Sequence, residues 1–169
     1  MAAARKMGDL GDPAAVSILA RRFAKEPYDN HGHDAPGVKK EIVGALRRIG
    51  GLEAKSALVE IAKQYWQAGP QSRDKMRAWR DADYRHVPLL VLESLQDWCE
   101  DDEVFDLAKG MALDENIPVF LTREFAWVLY LKGRMKREGI VSEEEAALFL
   151  VDFLEEMGIE GEAYKIVDG

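Results

Sequence analysis

The amino-acid sequence predicts an all-α fold: a right-handed α-solenoid, a superhelical stack of about four antiparallel helical hairpins with no β-sheet. Three observations lead there. The 169-residue chain aligns with itself at an offset of 39 residues, its apolar residues recur at helical spacing, and its turn residues fall where helices start and stop. A period near 40 residues containing helical spacing marks paired-helix repeats, because one hairpin cannot bury its apolar face alone and must stack on the next.

The alignment is direct. Leu10–Glu26, "LGDPAAVSILARRFAKE", lies over Ile49–Tyr65, "IGGLEAKSALVEIAKQY". Leu10 meets Ile49, Gly11 meets Gly50, Ala15 meets Ala54, Ser17 meets Ser56 and Leu19 meets Leu58, while Met7 falls on Leu46. A third copy follows at an offset of 49 residues, with Leu95 on Leu46 and Leu107 on Leu58. A weaker fourth sets Leu121, Phe125, Val128 and Leu129 over Val38, Ile42, Ala45 and Leu46. The whole of 1–169 reads as one repeat domain: a half repeat at 1–8, repeats at about 10–49, 50–98 and 101–135, and a capping helix at 142–157.

Each element has its own justification. In "GDP", Asp12 offers an N-cap and Pro13 suits the first helical position. In "APGVKKEIVGALRRIGG", Val38, Ile42, Ala45, Leu46 and Ile49 share one helical face, and a glycine stop follows. Ser142 and Glu145 form a capping box, and Gly158 closes that helix. Helices are expected at 2–8, 13–25, 37–49, 52–67, 73–82, 86–98, 102–114, 118–135 and 142–157. The expected core is Leu19, Ile42, Leu46, Leu58, Val91, Leu95, Leu107, Phe125 and Leu129.

The "GDP" turn, the "AV..L" of the outer helix and the "V.....AL..IG" of the inner helix resemble HEAT-like repeats of the phycobilin-lyase type. The resemblance is good over 1–65, fair over 86–114 and weak beyond. It implies outer helices on a convex face and inner helices lining a concave one. Such repeats serve scaffolds, inhibitors, lyases and some DNA glycosylases, so the resemblance speaks for a fold more than for a chemistry.

Composition narrows the function classes. Hydrophobic residues make up 47% and charged residues 32%, an ordinary globular balance. A single cysteine, Cys99, excludes an intrachain disulfide and suits a reducing cytoplasm. The opening lacks the apolar run of a signal peptide, and "IPVFLTREFAWVLYLKG" carries Arg123 and Glu124 mid-run, so no membrane segment is expected. Residues 1–50 hold 9 Lys/Arg against 6 Asp/Glu, whereas 101–169 hold 7 against 17. The net charge of −8 disfavours nucleic acid, whose phosphates need a basic footprint.

Two connections are longer than such repeats usually carry: Glu26–Gly37 and Gln67–His86. Every outer-to-inner connection runs the same way, so both belong to one rim, where per-repeat insertions often bind. The first carries Tyr28, His31 and His33; the second carries Arg77, Trp79, Arg80 and Tyr84, residue types that dominate binding hot spots. The competing reading has Trp66 and Trp79 packing the insertion onto its neighbours. His31 and His33 lack a third ligand and flank Gly32, so a polar loop is preferred to a metal site. No cofactor is expected. Cys99 has no base at useful spacing and reads as a core residue near a helix end.

Repeat alignment also sets Lys39, Val43 and Arg47 on the exposed side of an inner helix, followed by Pro88, Leu92 and Gln96, then Thr122, Ala126 and Tyr130. The expected function is a non-enzymatic protein–protein interaction scaffold. Trp79, Arg80, Tyr84, Arg77, Lys39, Arg47 and Leu92 are its expected contacts with another protein. A phycobilin-lyase-like chromophore-handling subunit is the alternative, and a DNA-glycosylase-type nucleic-acid module the second.

Overall fold

In a computed structural model, residues 2–26, 37–67, 82–114, 117 and 123–156 are described, with side chains except at 82–86, 143 and 154–156. Among them the secondary structure is helical throughout. The helices are α1 (Ala2–Leu10), α2 (Ala15–Lys25), α3 (Val38–Ile49), α4 (Gly51–Gln67), α5 (Ala82–Ser94), α6 (Asp102–Leu113), α7 (Glu124–Arg137) and α8 (Glu143–Glu156). A 3₁₀ turn at Gln96–Trp98 separates α5 from α6.

Punctuation residues act largely as their chemistry requires. The Asp12 side chain accepts the Ala14 N–H at 2.9 Å, and 3₁₀-type bonds from Ala15 and Val16 complete the first turn. Regular helix therefore starts at Ala15 rather than Pro13. Gly50 ends α3 with φ +67, a left-handed conformation that a β-carbon would oppose. Ser142 and Glu145 form the expected reciprocal capping box, each accepting the other's backbone N–H at 3.2 Å.

α1 runs to Leu10, two residues past its expected end, and two later helices also depart from expectation. α5 starts at Ala82 and stops at Ser94, where the sequence suggested 86–98. The Ser94 hydroxyl donates to Leu90 O at 2.6 Å, and the Leu95 N–H is shared by Val91 O and Leu92 O at 3.1 Å each. That sharing tightens the helix into the 3₁₀ turn. α7 begins at Glu124 and extends to Arg137, two residues past the expected end. Most of the expected helix at 73–82, and the expected start of α7 at 118, lie outside the described residues.

Helix contacts organise the chain in two rows. α1 packs on α3, α3 on α5 and α5 on α7; beside them α2 packs on α4 and α4 on α6. The core lies between the rows. Equivalent residues of successive copies line it: Leu19, Leu58 and Leu107 from one row, Leu46 and Leu95 from the other. Eight of the nine expected core residues are buried, and Phe125 is partly buried against them.

The second row is also joined by charge. Lys55 on α4, itself buried, donates to Asp101 Oδ2 at 2.7 Å, while Asp101 caps α6 by accepting from Glu103 N and Val104 N. The Lys55 bond, reinforced by the Val104 and Glu103 amides, holds the Asp101 carboxyl below the usual carboxylate range. A depressed carboxylate contributes stability that is present above its unfolded pKa and is lost as pH falls through its folded one. Asp101→Asn keeps a capping residue but removes the charge, and should cost about 1 kcal/mol at neutral pH. Denaturant melts should show that gap closing as the pH falls through the carboxylate range. A gap independent of pH would contradict the ion pair's role.

Candidate interaction surface

The ends of α2, α4 and α6 and the starts of α3 and α7 meet along one edge. Phe23, near the end of α2, meets the Tyr65 ring edge-on at 6.3 Å. Lys39, in the first turn of α3, sets its Nζ 4.8 Å from the Phe23 ring centroid. Trp66 Nε1, in the last turn of α4, donates to Asp114 Oδ2 at 2.7 Å just beyond α6. Its ring covers Gly110 so closely that a β-carbon there would collide with it. Arg123 Nε donates to Ala112 O at 2.9 Å and ties the start of α7 to the end of α6. From this edge the two long connections depart.

Sequence reasoning placed some site residues wrongly. Lys39 is only 6% exposed and Leu92 only 1%, so the exposure expected of both is corrected. Val43, Pro88, Ala126 and Tyr130 are buried as well. The open stripe keeps Arg47 and Gln96 and otherwise lies one position further along, at Lys40 and Gly44 on α3 and at Leu89 and Glu93 on α5. One residue turns an α-helix by about 100°, so a small alignment error exchanges the covered side for the open one.

Arg47 does stand on that stripe, half exposed, with its guanidinium 3.2 Å from Glu93 Oε1 on α5. Similar struts join α1 to α3, with Arg5 Nη2 at 3.2 Å from Glu41 Oε1 and Arg48 Nε at 3.0 Å from Asp9 Oδ1. Exposed pairs of this sort add little stability, but they fix charge positions on an open face. Arg77, Trp79, Arg80, His31 and His33 lie outside the described residues, and Tyr84 is placed by its backbone in α5.

Of the aromatic side chains near the second connection, Trp66 is an anchor, tied down by Asp114. A signal for it existed in the repeat: the 49-residue offset pairs Gly110 with Ile61, a core position. A glycine replacing a core side chain marks space filled from elsewhere, here by the Trp66 ring. Cys99 is a buried free thiol, as its position suggested. Among the described residues, no group of three His, Cys, Asp or Glu side chains converges to hold a metal ion. No helix there is long and apolar enough to cross a membrane.

Comparison with protein-family models, with curated proteins and with solved structures finds no match to this chain.

If Trp66 anchors the edge through Gly110, then Gly110→Ala should displace the ring and cost about 1–3 kcal/mol, the usual cost of overpacking. Denaturant melts give the cost, and near-UV circular dichroism should register the displaced indole. A variant with unchanged stability and spectrum would show that the ring does not lie there.

Proposed function

We propose that this chain is a non-enzymatic protein-interaction module, built as a right-handed HEAT-like solenoid, that receives a partner protein across the edge described above and the adjoining face of α3 and α5. The observation that carries this reading is the shared edge. Both long connections leave from it, and buried aromatic contacts and hydrogen bonds hold their points of departure. A fixed base suits insertions that recognise something, because ordering the base in advance lowers the entropic cost of binding.

In this reading Trp79, Arg77, Arg80 and Tyr84 supply the anchors from the second connection, and Arg47 contributes from the neighbouring stripe with Lys40. Lys39 and Leu92 support that surface from beneath, since both are buried. The free Cys99 thiol suits a cytoplasmic setting.

A photo-crosslinker installed at position 47 or 79 should capture one protein from native cells, which then supplies the purified partner for affinity measurements. Trp79→Ala/Arg80→Ala should weaken that affinity roughly thirtyfold, the equivalent of about 2 kcal/mol for a hot-spot anchor. Equal affinity for the variant and the parent, with matching thermal melts, would make the connection structural and refute the assignment.

A further inference from the structure

The row of helices has two unlike ends. At one end, α1 packs on α3 and α2 and leaves Ala3, Lys6 and Leu10 uncovered, with Leu10 71% exposed. Beside it α2 exposes Ile18, Arg21, Arg22 and Lys25. This end is basic: with Arg5 paired to Glu41, Arg22 to Glu26 and Asp9 to Arg48, Lys6, Arg21 and Lys25 remain against Asp12.

At the other end, α8 buries Phe149 and Phe153 against Trp127, Tyr130 and Arg134 of α7. Leu148, 69% exposed, and Val128 on α7 are left open. Glu124, Glu144 and Asp152 are exposed around them. On α7, Arg134 pairs with Glu138, Lys136 with Glu100 and Arg137 with Asp102, which leaves Lys132 against the three exposed carboxylates. The outward charge of this end is therefore acidic.

We propose that copies of this chain associate head to tail, the basic α1–α2 end of one seating the acidic α7–α8 end of the next. Charge complementarity selects that occupant. A partner for the first end must pair apolar side chains with carboxylates, and the chain's own far end does so. Two identical ends would instead oppose like charges, which disfavours a two-fold dimer through either one. The residues substituted below, Ile18, Arg21, Leu148 and Asp152, take no part in the edge assigned to a partner protein, so either reading can fail without the other.

Sedimentation velocity over a concentration series tests it on the full chain. At low salt the wild type should form oligomers that grow with concentration, and these should dissociate near 1 M salt, where the Debye length falls to about 3 Å. Two variants with exposed substitutions separate the ends: Ile18→Asn/Arg21→Gln blocks the first, and Leu148→Asn/Asp152→Asn blocks the second. Each alone should sediment as a monomer while keeping the parent's circular dichroism and melting temperature. Mixed in equal amounts they should form a one-to-one dimer and nothing larger, since one live end of each kind remains. A wild type that stays monomeric up to about millimolar concentration, where association as weak as about 4 kcal/mol is visible, overturns the proposal. So do variants that associate like the wild type, or a mixture that stays monomeric.

Discussion

The burial of α3 constrains the rest of the structure. Ile42, Val43, Ala45 and Leu46 are all fully buried, and Lys39 joins them one turn earlier. At about 100° per residue those positions span an arc of about 160°, close to half the helix circumference and broader than one neighbouring helix covers. α3 needs α1 on one side, α5 on the other, and α2 and α4 across the core. A row of similar helices satisfies so wide a buried arc, and each added helix inherits the same demand. α5 repeats the pattern with Val87, Val91, Leu92 and Leu95.

This breadth explains both what was legible in the sequence and what was not. The repeat was legible because core positions such as Leu19, Leu58 and Leu107 keep identical spacing within each copy and contact the same layer. The caps were legible because Asp12 and the Ser142–Glu145 pair act locally. The open face was misread for a tertiary reason. Val43 and Leu92 sit at the margin of the apolar arc, and sequence spacing does not say whether a marginal residue is covered by the next helix. Both are buried. The Trp66 anchor went unread because its partners, Gly110 and Asp114, belong to another repeat, and long-range pairing leaves only the glycine as a trace.

Electrostatics divides into two roles. Where lysine is buried, as at Lys55 against Asp101, charge joins α4 to the first turn of α6 and gives stability a pH dependence. Where the pairs lie at the surface, as at Arg47–Glu93 and Arg5–Glu41, they lay alternating charge across α1, α3 and α5. The second arrangement suits recognition better than stability, because exposed pairs contribute little to folding while their positions remain readable from outside.

Native-state hydrogen exchange probes the dependence on α3 most directly, since it resolves the stability of each helix. If the row is closed from both sides, amides of Ile42–Leu46 and Val91–Leu95 exchange only through global unfolding and are the slowest in the chain. Those of α1 and α8, covered on one side, exchange through local opening and are faster. Slow exchange in α1 or α8 together with fast exchange in α3 would contradict a fold built outward from that helix.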